Sequence, residues 1–215
     1  GTASYVSISS GPKHSCAITN LGTVQCWGLN NYEQLGLGYN GNHMYNTPQN
    51  TALPAGIEVA SIASGSEHVC AVLETTSVYC WGYDDYGQLN TAYECENDYT
   101  NGCSGDGRST PAPAQLPTGR NGIAVIAGYH YTCVFIDNGG VYCFGSNNDG
   151  QLGNGSVYGN GPSYVGFPVG VSPQTNDRDL DHDGVFNNED QCMEGETGWT
   201  SNNSTDNDGD GCQDS

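Results

Sequence analysis

Short apolar runs, broken every few residues by glycine, set the rhythm of most of the chain, and they recur in register. One unit carries Ile8, Gly11, His14, Cys16, Ala17 and Ile18, then Gly22, Val24, Cys26, Trp27 and Gly28, then Gln34, Leu35 and Gly36. A second carries Ile62, Gly65, His68, Cys70, Ala71 and Val72, then Val78, Cys80, Trp81 and Gly82, then Gln88 and Leu89. A third carries Ile126, Gly128, Cys133 and Phe135, then Gly139, Val141, Cys143, Phe144 and Gly145, then Gln151, Leu152 and Gly153. In each copy the second Cys follows the first by ten residues, and the Gln follows that Cys by eight. Fixed offsets held through three copies are the signature of a repeat architecture.

The spacing predicts an antiparallel hairpin in each copy, with its two Cys facing across the strands. Ile18 then falls opposite Val24, and a three-residue loop remains whose last residue, Gly22, wants a positive φ. Gly139 repeats the device, whereas Thr76 stands there in copy two and predicts a different turn. Alternation places Cys16, Ile18, Val24 and Cys26 on one face, and Ala17 and Trp27, with their equivalents Ala71, Tyr79 and Trp81, on the other. Both faces are apolar, unlike a sheet with one side in water, so the hairpins must stack face to face as propeller blades do. Pro-rich stretches, 47–54 and 110–117, read as outer segments leading into the next blade.

Gly-x-x-His-x-Cys-Ala at Gly11–Ala17, Val-x-Cys-Trp-Gly at Val24–Gly28 and the Gln-Leu-Gly that follows resemble the regulator of chromosome condensation repeat. The resemblance covers roughly residues 5–170 and implies an all-β fold of propeller blades. Members of that family usually close a ring of about seven blades, and this chain offers three. Two apolar faces are then left without partners, and patches of that kind mark interaction surfaces. They predict further blades of the same parent chain, or self-association, in which a contact that fails to close generates a filament. The family's nuclear nucleotide-exchange role is not expected here, because paired cysteines and the lack of a basic surface speak against it.

The ten cysteines fall into neighbouring pairs, Cys16/Cys26, Cys70/Cys80, Cys95/Cys103, Cys133/Cys143 and Cys192/Cys212. An even count at repeated spacing reads as a disulfide framework and an oxidising compartment, hence an extracellular or cell-surface protein. Zinc is the rival reading, but no C-x-x-C knuckle occurs. The first residue is Gly1, which predicts either a removed signal peptide or a fragment of a longer chain. No apolar run is long enough to span a bilayer. Four Lys and Arg against 24 Asp and Glu give a formal charge of -20, which excludes nucleic acid and anionic membranes as partners and favours cations.

The texture changes near Pro173, dividing a repeat region, 1–175, from an acidic segment, 176–215, that holds 12 of the 24 acids. Asp177, Asp179, Asp181 and Asp183 alternate ahead of Gly184, followed by Val185, Asn187 and Asp190. Calcium takes six to eight oxygens, and alternate carboxylates around a Gly turn, with the Val185 carbonyl added, supply them. A second run, Asp206, Asp208, Asp210, Cys212 and Asp214, repeats the theme. A helix-loop-helix calcium hand would need Glu where Asp190 stands and amphipathic flanks that are absent. The segment instead resembles thrombospondin type 3 repeats, which implies an irregular, disulfide-stapled tail ordered by Ca2+. Asn187 and the stretch 195–200 depart from that pattern.

Catalytic signatures are missing: no Gly-x-Ser-x-Gly elbow, phosphate loop or His-Glu-x-x-His helix occurs. His14 and His68 share one repeat position, where copy three has Tyr131, so they read as structural. Asn154, Asn202 and Asn203 sit in Asn-x-Ser/Thr triplets and are candidate glycan acceptors. The sequence therefore predicts a non-catalytic, calcium-stabilised extracellular structural protein, a fibre or surface-layer subunit. The alternative is a secreted receptor, adhesin or inhibitor-like module holding a protein or glycan through the loops at 39–46 and 93–108.

Overall fold

The computed structural model describes residues 4–39, 43–92, 103–104, 107–155 and 163–164. The chain divides into Gly1–Gly166 and Phe167–Ser215, and the acidic segment lies outside the described residues. Three antiparallel sheets make up the described part, and no helix occurs among the described residues. Blade 1 runs β1 (Tyr5–Ser10), β2 (His14–Thr19), β3 (Val24–Leu29), β4 (Met44–Asn50). Blade 2 runs β5 (Val59–Ser64), β6 (His68–Leu73), β7 (Val78–Tyr83), then β9 (Gly107–Pro113), with the short β8 (Cys103–Ser104) beyond it. Blade 3 runs β10 (Gly122–Ala127), β11 (Tyr131–Ile136), β12 (Val141–Gly145), β13 (Ser163–Tyr164).

Each central hairpin has the register that the cysteine spacing requires: Cys16 faces Cys26, Cys70 faces Cys80 and Cys133 faces Cys143. All three pairs are disulfide-bonded, with Cα atoms 4.1 Å apart. The hairpin is not the whole unit, however. An inner strand pairs in front of it, and the Pro-rich stretch forms the outer strand of the same blade. Pro48 and Pro111 lie where the outer pairing shifts register, between Cys26/Gly28 and Cys80/Gly82. A bulge on an outer strand tolerates the missing N–H of proline.

The hairpin turns correct one expectation. Thr76 does not change the turn of copy two; it occupies the same left-handed position as Gly22 and Gly139, with φ of 69° against 73° and 78°. Its N–H donates to Leu73 O at 2.8 Å, as those of Gly22 and Gly139 do to Thr19 and Ile136. The strand register fixes a three-residue loop in all three copies, so the β-branched residue takes the strained conformation rather than the loop changing length.

Blades stack as the two apolar faces demand. Cys16, Ile18, Val24, Cys26 and Leu35 of blade 1 pack against Val69, Ala71, Leu73 and Trp81 of blade 2. Cys70, Val72, Val78, Cys80 and Leu89 of blade 2 pack in the same way against Val125, Val134, Ile136 and Phe144 of blade 3. The outward faces remain open, with Ile8 64% exposed on blade 1 and Ile126 53% exposed on blade 3.

A polar seam accompanies the apolar one. The backbone carbonyl of buried Gln34 accepts a hydrogen bond from Trp81 Nε1 at 3.1 Å. At the next interface the carbonyl of buried Gln88 accepts from Thr132 Oγ1 at 3.0 Å. Thr132 is the repeat equivalent of Val69, and Phe144 that of Trp81. Each interface thus supplies one donor to the same buried carbonyl, from an indole in one case and a hydroxyl in the other. Leaving such a carbonyl dry would cost about 1–3 kcal/mol.

Candidate functional site

The loop after each hairpin is closed by its own side chains. Gln34, Gln88 and Gln151 accept through Oε1 from the backbone N–H two residues earlier, at 3.0, 3.0 and 2.9 Å. Asn30, Asp84 and Asn147 accept through Oδ1 from Leu35, Leu89 and Leu152 N–H, at 3.0, 2.9 and 3.0 Å. Rigid loops of one shape therefore line one end of the stack, and what they carry at their tips defines a surface.

That surface is aromatic. Tyr32 of blade 1 meets Tyr83 of blade 2 at 4.8 Å between ring centroids. Tyr83 lies 6.2 Å from Tyr86 and 5.7 Å from His130 of blade 3. Tyr86 and His130 stack at 4.5 Å with planes 13° apart, and Tyr129 closes the row 4.5 Å from His130. Tyr129 is 66% exposed, and Tyr32, Tyr83, Tyr86 and His130 are half-buried. Beside the row opens a cavity of about 310 Å³, lined by Ser10, Pro12, Ser64, Ser66 and Tyr129 among others.

Charge runs along the same edge. Lys13, Glu67 and His130 occupy one repeat position, each two residues after a blade's Gly11, Gly65 or Gly128. Glu67 faces Lys13 Nζ at 3.6 Å on one side and His130 Nε2 at 3.9 Å on the other. Burial lowers the His130 pKa despite the neighbouring Glu67 and Asp85 carboxylates, which favours the neutral ring. The Tyr83 hydroxyl donates to exposed Asp85 at 2.7 Å, and burial together with that carboxylate raises its pKa.

His14 and His68 lie beneath this surface. A Cβ at Gly11 or Gly65 would run into the imidazole three residues on, so the Gly-x-x-His spacing seats a ring under a glycine. His68 Nε2 lies 2.9 Å from Thr132 Oγ1, whereas His14, its repeat equivalent, has no hydrogen-bond partner on either ring nitrogen among the described residues, and Val69 stands at the repeat position of Thr132. Burial holds the His14 pKa at about 4, and burial with repulsion from His14 and His130 holds that of His68 at about 3.

Asn154 is exposed, and its Oδ1 accepts from Asn147 Nδ2 at 3.2 Å. Asn202, Asn203, the carboxylates from Asp177 to Asp214, Cys95, Cys192 and Cys212 lie outside the described residues. So do 40–42, 93–102 and 105–106, most of the two loops expected to hold a partner. The tyrosine row escaped the sequence reading, although one signal was present: Tyr32 and Tyr86 both stand six residues after their blade's second Cys.

Stacked four- and five-stranded antiparallel blades with Gln-closed loops define a β-propeller repeat protein. Two models described as the regulator of chromosome condensation (RCC1) repeat match, one at residues 5–34, 59–88 and 123–151, the other at 22–72 and 138–175. The three-bladed region belongs to that family. It is 33% identical over 150 residues to the ultraviolet-B receptor UVR8 of Arabidopsis thaliana, covering 70% of this chain and 31% of the receptor. It is 30% identical over 150 residues to the human probable E3 ubiquitin-protein ligase HERC3, covering 70% of this chain and 13% of the ligase. The fold matches yeast RCC1 (Prp20) bound to Kap60, with a TM-score of 0.66, 21% identity, and coverage of 77% of this chain and 38% of that one. A second structure of Prp20p from Saccharomyces cerevisiae, whose subject includes binding to Gsp1p and histones, gives 0.66, 22%, 77% and 39%. The chain thus spans less than a third of these curated relatives' length.

These matches correct the functional expectation. The relatives are named as a receptor, ubiquitin ligases and a regulator of chromosome condensation; none is named as a calcium-stabilised fibre, surface-layer or cell-surface structural protein. The extracellular or cell-surface assignment and the secreted adhesin or inhibitor alternative fall with it. Strand register alone brings each Cys pair to a Cα separation of 4.1 Å, so their proximity reports blade geometry rather than a compartment. Open apolar faces, likewise, are a property of any single blade and do not require a filament.

Proposed function

We propose that the chain is a non-catalytic, protein-binding propeller segment that engages its partner through the tyrosine–histidine row. The observation that carries this reading is the contiguity of five rings from three blades beside an open cavity, four half-buried and Tyr129 exposed; Tyr32 and Tyr86 stand on internally closed and so preorganised loops, Tyr83 on β7, and Tyr129 and His130 in the β10–β11 turn. Tyrosine supplies large contact area at low conformational cost, which is why it is enriched where proteins meet. Yeast RCC1 in complex with Kap60 and the Prp20p structure's concern with Gsp1p and histones favour a protein ligand for this fold. The buried histidines serve the stack, and their low pKa values remove them from acid–base work near neutrality.

A random-peptide phage selection against the whole chain, counter-screened with a Tyr86→Ala/Tyr129→Ala variant, tests the reading. Peptides that bind the parent and not the variant support it. Recovered peptides that all bind both proteins equally would sink it.

The division at residues 175/176 and calcium binding by the acidic segment are part of the same proposal. Their support is the alternate oxygen spacing of Asp177 to Asp190 and its resemblance to thrombospondin type 3 repeats.

A further inference from the structure

The ring row does not stand alone at its edge; it is bordered by carboxylates whose charge is incompletely answered. Glu67 has a side chain only 15% exposed, yet its one charged neighbour among the described residues at neutral pH is Lys13 at 3.6 Å, itself 60% exposed. On the opposite side it faces His130 Nε2 at 3.9 Å, and that nitrogen has no hydrogen-bond partner among the described residues. Asp85 is exposed and among the described residues accepts only the Tyr83 hydroxyl, at 2.7 Å. The rings of Tyr83, which donates to Asp85, and His130, which faces Glu67, are linked through Tyr86, with centroids 4.5–6.2 Å from one another.

We propose that this cluster of rings and carboxylates binds an arginine side chain presented by a basic protein segment. The inference rests on the protein-binding reading above and names the chemistry of the partner. A guanidinium is planar and weakly hydrated, so it stacks on a tyrosine face while its edge donates to carboxylates. The nearly parallel Tyr86–His130 pair offers a flat face of this kind, with Glu67 3.9 Å from His130 and Asp85 held by the Tyr83 hydroxyl beside Tyr86. The repeat region, 1–175, holds 12 Asp and Glu against three Lys and Arg, a balance that draws a basic segment toward the surface and raises its encounter rate. The same charge repels a phosphate backbone, which disfavours base stacking by a nucleic acid on these rings. The adjoining cavity of about 310 Å³, walled by serines and Pro12, leaves space for the residues flanking the arginine.

The test is an affinity series on the whole chain at physiological salt, using the peptides that the selection recovers. Each is remade with its arginines as lysine, citrulline or aspartate, and each is measured against the parent protein, Tyr86→Ala and Asp85→Asn by fluorescence anisotropy. Citrulline keeps the shape and removes the charge, so the arginine reading predicts about a tenfold loss or more, and a similar loss in Tyr86→Ala. Asp85→Asn changes an exposed residue, leaves the stack intact and should weaken arginine peptides about threefold while leaving citrulline peptides unchanged. Peptides that require Tyr86 but bind equally as citrulline overturn the arginine reading alone. Peptides indifferent to Tyr86→Ala overturn the arginine reading, and peptides indifferent to the Tyr86→Ala/Tyr129→Ala variant as well overturn both readings.

Discussion

Replacing Trp81 with Phe interrogates the seam between blades 1 and 2 at its only described donor to the Gln34 carbonyl. The indole is fully buried, and its Nε1 donates to that carbonyl at 3.1 Å. Phenylalanine removes the donor and leaves a buried acceptor dry, at about 1–3 kcal/mol. The smaller ring adds a cavity term on the order of 1 kcal/mol. Trp81→Phe should therefore destabilise the chain by about 2–4 kcal/mol. Blade 3 shows the remedy: Phe144 stands at the tryptophan position and Thr132 supplies the hydrogen bond instead. Val69→Thr in the Trp81→Phe background should recover about 1–2 kcal/mol by donating to Gln34 O. Its hydroxyl would also face His14, which has no hydrogen-bond partner among the described residues, in the way Thr132 meets His68 at 2.9 Å. In the parent background the carbonyl is already satisfied, so Val69→Thr alone should change stability by less than about 1 kcal/mol. Urea unfolding of the four proteins gives the coupling energy directly. A coupling indistinguishable from zero would refute the donor-exchange argument.

Other consequences follow from the same geometry. Thr76→Gly relieves a β-branched residue held at φ 69°; it should stabilise by about 0.5–1 kcal/mol in urea melts, whereas Gly139→Ala, at φ 78°, should destabilise. His14 and His68 titrate near 6.5 when unfolded but only at about 4 and about 3 when folded. The unfolded chain therefore takes up protons first on acidification, so stability is full above about pH 6.5 and falls below it, by up to about 1.4 kcal/mol per pH unit for each ring. Replacing His14 with Gln should flatten the midpoint-versus-pH curve between about pH 6.5 and 4.5, and an unchanged slope counts against the assignment. Removing the Cys70–Cys80 crosslink, which closes a sequence separation of 10, should cost about 3 kcal/mol in the chain-entropy picture. For the acidic segment, calcium should slow proteolysis within 176–215 and a chelator should restore it; indifference to both would end the calcium proposal.

Much of the fold was legible because its determinants are local. A ten-residue Cys spacing with Gly22 or Gly139 inside it admits one hairpin register, and two apolar faces admit one mode of stacking. Thr76 misled because propensity argued for a different turn while pairing on both sides of the loop had already fixed its length. The inner strands were harder to see: Tyr5–Ser10 alternates weakly, and its pairing partner is supplied by the hairpin behind it. Exchange of donors between Trp81 and Thr132 was invisible in the sequence, since neither residue's partner lies in its own blade. The tyrosine row was half legible, through the shared offset of Tyr32 and Tyr86. Tyr83, Tyr129 and His130 join it only because stacking brings three blades' loops together. Function was misread where covalent chemistry was taken to report a compartment.

The most direct measurement is a crystal structure of the whole chain with an arginine peptide from the selection. A guanidinium against the Tyr86–His130 face with Asp85 or Glu67 at its edge is the expected result. A peptide seated instead on the open blade faces around Tyr5 and Ile8, or Ile126 and Phe135, would contradict it.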